Sequence, residues 1–301
     1  MNVQPSLPKA AFWMVGWLAL MLGIMVAGRE ASRELNVFQV MEVRALIGLV
    51  LFYPLVHLAG GLKTVRTQLF GQHLARNLVH YLSQALWLYA LMLIPLSQLI
   101  AIEFTMPIWT AIMAALFLSE KITPLKALSV ALGIAGVIVI VRPSLDHVDP
   151  GQAIAFVTAI GFAISVILVK NLTRHDSVVT IIFWMLIIQG TVGLIPALVV
   201  WQWPSAHTWG WLVVVAICGS FSHYCMARAM TYADATVVVP MDFLRVPLAA
   251  LVGWLVYSEQ IDVYTAAGAA LILFGNLLNL RRAGTARVPI PDDPAARARQ
   301  G

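Results

Sequence analysis

Residues 104–123, FTMPIWTAIMAALFLSEKIT, return in altered form at residues 243–262 as FLRVPLAALVGWLVYSEQID. The two stretches align at a shift of 139 residues, and the same shift pairs Glu103 with Asp242. Isolated Ala or Leu matches arise easily by chance in an apolar chain. The shared phenylalanine and the shared Ser-Glu pair are more telling because they fall in one register. The sequence therefore predicts two related halves.

The composition indicates a membrane protein. Of the 301 residues, 60% are hydrophobic and 11% are charged, whereas a soluble domain carries about 25% charged residues. The net charge is +5, but the basic residues are scattered in short linkers and form no stripe for nucleic acid. The two cysteines, Cys218 and Cys225, are expected to pack as small apolar side chains. No Cys/His spacing suggests a metal, so we expect no cofactor.

Apolar runs of the length that crosses a bilayer recur along the whole chain. A spanning helix needs about 20 such residues. Ten runs meet this description, with Gly, Pro and charged residues in the short linkers between them. The predicted spans are 11–28, 37–59, 75–94, 97–118, 124–141, 151–170, 178–200, 209–230, 234–257 and 263–280.

Lysine and arginine positions predict the orientation of the spans. With the N-terminus in the cytoplasm, 14 Lys and Arg residues lie inside, three lie outside, and Arg44 and Arg245 lie within spans. This bias favours cytoplasmic N- and C-termini. Five spans per half then make the second half inverted relative to the first, as in many transporters. The predicted organisation is a cytoplasmic N-terminus, two repeats and a disordered cytoplasmic tail, at residues 1–10, 11–142, 151–282 and 283–301.

Two carboxylates occupy equivalent positions inside predicted spans. Glu103 and Asp242 each precede a phenylalanine. A charge at mid-bilayer costs about 2.5–3.5 kcal/mol on insertion scales, so such groups are functional-site candidates. Arg245 follows Asp242 by three residues and can share its helix face.

Prolines accompany these charges. Pro107 removes the helical hydrogen bond to the carbonyl of Glu103, and Pro240 and Pro247 act in the same way in the ninth span. Kinks of this kind are tolerated where the freed backbone meets protein or a water-filled cavity. The alternative interpretation is a structural ion pair with kinks that help helices pack.

Further polar residues could line the same cavity. In the third span they recur at helical spacing and include His80 or Tyr81, and the eighth span has a similar series. The alternative for each is a helix–helix hydrogen bond. In contrast, Glu259 is expected in a solvated linker, and the glycine-rich fifth and tenth spans are expected to form scaffold, in contact with each other or in a dimer. The candidate lining residues are Arg44, His80, Tyr81, Gln84, His223 and Tyr224.

The segments LMLIPLSQLIAIEFTMPIWTAIMAALFLSEKI and ARAMTYADATVVVPMDFLRVPLAALVGWLVYSEQI make the chain resemble EamA-type transporters of the drug/metabolite transporter superfamily. The resemblance covers nearly the whole chain. It implies an all-α membrane protein of ten helices, in two inverted five-helix repeats around a central cavity, in a bacterial inner membrane. Spans 1–4 and 6–9 would line that cavity. It also implies a metabolite as cargo, without fixing which one.

The leading hypothesis is a secondary transporter of a small polar or amphipathic metabolite that resembles an amino acid, a nucleoside or a vitamin. The absence of a GxxxxGK[ST] motif argues against ATP drive within this chain. Glu103 or Asp242 would couple transport to protons, and Arg245 would hold a carboxylate or bind an anionic group of the cargo. A channel or a non-transporting sensor is an alternative. A membrane-embedded enzyme is a weaker one, because no HExxH or GxSxG motif occurs. The cargo, the transport direction and the choice between monomer and homodimer stay open.

Overall fold

The computed structural model describes residues 6–58, 60–118, 124–141, 149–172, 175–232, 241–260 and 262–283. Within these residues the only regular secondary structure is helical. The helices are α1 Leu7–Glu34, α2 Val37–Leu58, α3 Phe70–Leu93, α4 Leu96–Glu103, α5 Met106–Leu118, α6 Pro124–Val141, α7 Pro150–Leu172, α8 Val178–Val199, α9 Ala206–Tyr232, α10 Arg245–Tyr257 and α11 Val263–Ala283.

Local sequence explains where several helices begin and end. The hydroxyl of Ser177 accepts a hydrogen bond from the Thr180 backbone N–H at 3.2 Å and so caps the start of α8. The Asp262 carboxylate caps α11 in the same way through the Thr265 backbone N–H at 3.0 Å. At its C-terminal end α10 stops at Ser258, whose φ of 54° is left-handed.

The predicted fourth span is two helices and not one kinked helix. α4 ends at Glu103, Phe104 and the next residue form a turn, and α5 begins one residue before Pro107. A second turn covers residues 243–244 just before α10, at the position that the 139-residue shift predicts. Both interruptions therefore lie next to the charged residues. The first half of the predicted ninth span, with Pro240, lies outside the described residues, and Pro247 lies in the first turn of α10.

Helices from the two halves of the chain pack against each other. α1 packs on α9, α2 on α8, α3 on α7, α4 on α10 and α6 on α11. In the last pair the backbones approach so closely that a Cβ on Gly136 would lie 2.6 Å from the Gly268 carbonyl oxygen. The scaffold contact expected between the fifth and tenth spans is thus present. Cys218 and Cys225 are buried and free, and each lies against a glycine of α1.

The helices suit a membrane. Four of them within the described residues are long and apolar enough to cross one: Leu7–Glu34, Val37–Leu58, Pro150–Val169 and Val179–Val199. Shorter apolar helices include α10. Many large apolar side chains are exposed on the outside of the bundle, for example Phe12 and Val199. Exposed apolar surface of this kind is what lipid requires.

Candidate functional site

Arg245 is the centre of the candidate site. It is the first residue of α10, and its side chain is 5% exposed. Its Nη1 lies 3.0 Å from Glu103 Oε1, and its Nη2 lies 3.2 Å from Asp242 Oδ2. One guanidinium therefore binds two carboxylates that come from the two halves of the sequence. We call Glu103, Asp242 and Arg245 the acid–arginine cluster.

Two indole groups donate hydrogen bonds to the carboxylates of the acid–arginine cluster. Trp17 in α1 donates from Nε1 to Asp242 Oδ1 at 2.6 Å. Trp87 in α3 donates from Nε1 to Glu103 Oε2 at 2.8 Å. Each carboxylate thus receives one cationic contact and one neutral N–H donor. The indole donors come from α1 and α3, so four helices meet at the acid–arginine cluster.

Aromatic rings surround the same residues. The guanidinium of Arg245 lies 4.9 Å from the centroid of the Phe104 ring, within cation–π range. Phe104 and Phe243, which the repeat pairs, meet edge to face with centroids 5.3 Å apart. The carbonyl of Phe104 also has a hydrogen-bond partner, because the side chain of Asn276 in α11 donates to it at 2.8 Å. The turn between α4 and α5 is therefore held from a neighbouring helix.

A second polar cluster forms around Arg44 of α2. Its Nη2 donates to Gln84 Oε1 at 2.9 Å and to Gln189 Oε1 at 3.0 Å. Arg44 also lines a cavity of about 30 Å³ between α2, α8 and α9, together with Ser220. One water molecule needs about 10–15 Å³ by the same measure, so the cavity can hold water.

Tyr81 lies beside a residue that the sequence reading did not select. Its hydroxyl and the carboxylate of Glu42 approach the same side of Gly193: a Cβ on that glycine would lie 2.9 Å from Tyr81 Oη and 2.6 Å from Glu42 Oε2. Glu42 is 1% exposed. The rule that selects intramembrane ionisable residues would have found it, because it falls inside the predicted span 37–59.

The remaining candidates are dispersed. His80 of α3 faces α7, where Ser165 Oγ lies 3.4 Å from its Nδ1 and the Phe162 ring lies 5.5 Å away. None of the described contacts links His80 to the acid–arginine cluster. His223 and Tyr224 belong to α9, but their side chains lie outside the part of the chain that the structure describes.

Glu259 is not the solvated residue that the sequence suggested. Its side chain is 13% exposed and forms an ion pair with Arg29 of α1. Its other carboxylate oxygen accepts from the backbone N–H of Leu96 at 2.9 Å. Arg29 also lies 4.4 Å from the Tyr257 ring. The carboxylate is buried because a cation and a helix N-terminus neutralise it, and the contact joins α1, α4 and α10 at one end of the bundle.

An all-helical chain with several apolar spans and ion pairs between them is a multi-pass membrane protein. The particular family follows from sequence comparison. The EamA-like transporter family matches residues 8–142 and 149–281, and the chain belongs to it. Members of this family in the comparisons are named as transporters, so the protein is a transporter-family protein and not an enzyme.

Individual relatives are similar over most of their length. A riboflavin transporter of Brucella anthropi is 30% identical over 251 residues, which are 80% of this chain and 87% of that protein. An S-adenosylmethionine uptake transporter of Rickettsia felis is 26% identical over 263 residues, 86% of this chain and 89% of the other. A crystal structure with 16% identity has a TM-score of 0.63 over 94% of this chain and 100% of the other, which shows a shared fold.

Proposed function

We propose that the protein is a secondary active transporter that carries a small polar or amphipathic metabolite across a bacterial inner membrane by alternating access, coupled to protons. The observation that carries this proposal is the acid–arginine cluster, in which Arg245 joins carboxylates from both halves of the chain. Buried ionisable groups are expensive in a membrane and mark substrate or ion pathways.

Pairing between the halves supports alternating access. α1 and α3 belong to the first half of the chain, and they pack on α9 and α7 of the second half. Exchange of the two halves would map each of these pairs onto the other, as two inverted five-helix repeats require. Such repeats can open a central site to one side and then to the other. The ion pair of Arg29 with Glu259 would hold one side closed in this conformation.

Proton coupling would act through the charge balance at Arg245. Protonation of Glu103 or Asp242 removes one negative charge and weakens that carboxylate's hold on the guanidinium. Arg245 is then free to bind an anionic group of the cargo or to bind the remaining carboxylate more tightly. Either change alters the contacts between the two halves, since Glu103 and Arg245 belong to different halves.

The aromatic groups around the cluster support a cargo with a planar ring. Riboflavin and S-adenosylmethionine, the compounds in the relatives' names, both contain a heteroaromatic ring system. Phe104, Phe243, Trp17 and Trp87 are all close to Arg245 or its carboxylates. Ring stacking combined with a few polar contacts is the usual character of small-molecule sites. We therefore take a vitamin-like or nucleoside-like metabolite as the cargo class.

Transport measured in proteoliposomes tests the proposal. Radiolabelled riboflavin and S-adenosylmethionine would be supplied with and without an imposed pH gradient. We expect saturable uptake with counterflow for a compound of this class, and we expect Glu103→Gln or Asp242→Asn to remove its pH dependence. Unchanged pH dependence in both variants would reject these two carboxylates as coupling groups. Flux without saturation or counterflow would favour a channel.

A further inference from the structure

Glu42 has no hydrogen-bond donor among the described residues. It lies in the first half of α2, with 1% of its surface exposed. Within that part of the chain neither Oε1 nor Oε2 has a hydrogen-bond partner, and the nearby Tyr81 hydroxyl has none either. A buried carboxylate without a donor or cation is rare, because its charged form loses the solvation of water and gains nothing in return.

The described groups in contact with the Glu42 surroundings offer it no positive charge. On the α8 side stand Gly190 and Gly193, and residues 178–199 contain no ionisable side chain at all. On the α3 side stands Tyr81, which is neutral. The nearest cation in sequence is Arg44, but its Nη2 is bound to Gln84 and Gln189.

Helix α9 also contributes no charge in the contacts that the structure describes near this position. It places Gly219 against the Arg44 side chain, with Arg44 Nη1 at 3.7 Å from the position of an added Cβ. The Glu42 carboxylate itself lies against Gly190 and Gly193 of α8. Because glycine has no side chain, α8 offers the acid no side-chain hydrogen-bond partner at these two positions.

The contrast with the acid–arginine cluster is informative. Glu103 and Asp242 each have a guanidinium contact and an indole N–H donor, both of which stabilise a carboxylate. Glu42 has neither. A group in that environment lowers its free energy by taking up a proton, since the neutral acid avoids the cost of a buried charge.

We infer that Glu42 is a proton-binding site, occupied in this conformation, between α2, α3 and α8, and separate from Glu103 and Asp242. The neutral acid carries no charge, so its burial without a donor costs less free energy than burial of the carboxylate. A conformational change that brings water or a cation to Glu42 would release the proton. The inference adds a further protonatable carboxylate to the proposed transporter, besides Glu103 and Asp242.

Infrared difference spectroscopy of the full-length protein in liposomes tests this directly. The probe is the proton itself, varied through the pH of the buffer. We expect a carboxylic-acid C=O stretching band at neutral pH that is lost in Glu42→Gln and retained in the matched variants Glu103→Gln and Asp242→Asn. A spectrum with no such band at neutral pH, or a band that Glu42→Gln leaves intact, would overturn the inference.

A second variant keeps the test valid if Glu42→Gln does not fold. Glu42→Asp keeps a carboxylic acid but moves it by one methylene group, so the band should persist at a shifted frequency. A band that Glu42→Asp leaves unchanged would overturn the inference. The outcome is independent of the proposed function, because the spectra need no cargo. Transport that ignores the pH gradient would reject proton coupling while leaving the Glu42 band in place.

Discussion

At Arg245, one positive charge faces two negative charges inside a helical bundle. Both carboxylates bind the same guanidinium, and the further donor that the structure describes for each is the indole N–H of Trp17 or Trp87. Removal of the shared cation therefore leaves two largely buried anions at once, each with a side chain that is 13% exposed. Loss of one partner of a buried ion pair is far more damaging than loss of a surface pair, because the remaining charge is not resolvated.

Arg245→Gln should accordingly destabilise the protein by about 3–5 kcal/mol. Arg33→Gln is the matched control, because Arg33 is 56% exposed and pairs with Glu30 in the same i,i+3 spacing. An exposed pair contributes about 0–1 kcal/mol, so the control should melt close to the wild type. Thermal unfolding of the detergent-purified proteins provides the comparison. Equal melting temperatures for the wild type, Arg245→Gln and Arg33→Gln would mean that the acid–arginine cluster is not a buried ion pair.

The Arg245 variant also has a diagnostic rescue. Adding Glu103→Gln and Asp242→Asn to Arg245→Gln removes the two unpaired charges and leaves groups of similar shape. Because neutral polar groups cost less to bury than ions, the triple variant should recover part of the lost stability. A triple variant less stable than Arg245→Gln would argue that the carboxylates remain well solvated without their cation.

Asp176, in the linker between α7 and α8, gives a prediction on pH. Its burial acts to raise its pKa, but hydrogen bonds from His73 and Thr67, with the charge of nearby histidines, outweigh burial, and its pKa lies below its usual range. Both hydrogen bonds to Asp176 Oδ2 are 2.7 Å long. A carboxylate with a lowered pKa stabilises the native state above its ordinary pKa of about 3.9, and this stabilisation is lost as the pH falls through the lower native value.

Asp176→Asn should therefore lower the melting temperature at neutral pH and have progressively less effect in acid. The expected loss at neutral pH is roughly 2–4 °C, corresponding to about 1 kcal/mol in a chain of this size. Melting curves of the variant and the wild type across the acidic range measure the difference. A difference that grows as the pH falls would contradict a lowered pKa for Asp176.

Part of the candidate site was predictable from single residues. Glu103, Asp242 and Arg245 stand out because a charge inside an apolar run needs a reason, and the repeat adds a second, independent signal. The indole donor of Trp17 was not predictable, because the direction in which it points depends on how α1 packs. Trp87 belongs to the polar series of the third span, but that spacing does not show that its indole reaches Glu103. For His80, polar spacing along α3 did not reveal which neighbouring helix the side chain faces. The structure places it against Ser165 of α7.

At the scale of the helices, hydropathy located the described helices well but not their interruptions. The described helices fall on the predicted apolar runs, because every backbone N–H in lipid must bond within its own segment. The separation of α4 from α5 at Phe104 could not be derived from Pro107 alone. The turn also frees the carbonyl of Phe104, whose hydrogen-bond partner is Asn276 of α11, a residue 172 positions away.

The contact of α6 with α11 gives a prediction for one helix pair. Gly136→Ala adds a Cβ 2.6 Å from the Gly268 carbonyl oxygen and 2.6 Å from Ile272 Cγ1, so the helices must separate. We expect a loss of about 1–3 kcal/mol, as in other overpacked interiors. Gly210→Ala is the matched control, since an added Cβ there meets nothing within 4 Å. Helix propensity should make the control about 1 kcal/mol more stable.

Thermal unfolding of both glycine variants separates packing from propensity. The same chemical change should move the melting temperature down at Gly136 and up, or not at all, at Gly210. Stabilisation by Gly136→Ala would show that α6 and α11 are not in backbone contact. A destabilised Gly136 variant with unchanged oligomeric state would also place this contact within one chain and not in a dimer.

For the whole molecule, the inverted arrangement of the two halves is the feature that alternating access needs most. The sequence predicts it from an odd number of spans per repeat and from the bias of Lys and Arg. It has a consequence for equivalent residues: positions 139 apart must lie on opposite sides of the membrane. Lys63 and Trp203 offer a convenient pair, since Trp203 lies one residue beyond the equivalent of Lys63 and both are exposed.

Labelling with a membrane-impermeant maleimide tests this consequence in whole cells. Trp203→Cys should react in intact cells, whereas Lys63→Cys should react only after the membrane is permeabilised. The native Cys218 and Cys225 are each 8% exposed and should contribute little background, and the unsubstituted protein measures that contribution. The reversed pattern would keep the inverted repeat but turn the protein over, with both termini outside. Reaction of both cysteines from the same side would exclude the inverted repeat, and with it the rocking of two equivalent halves around Arg245.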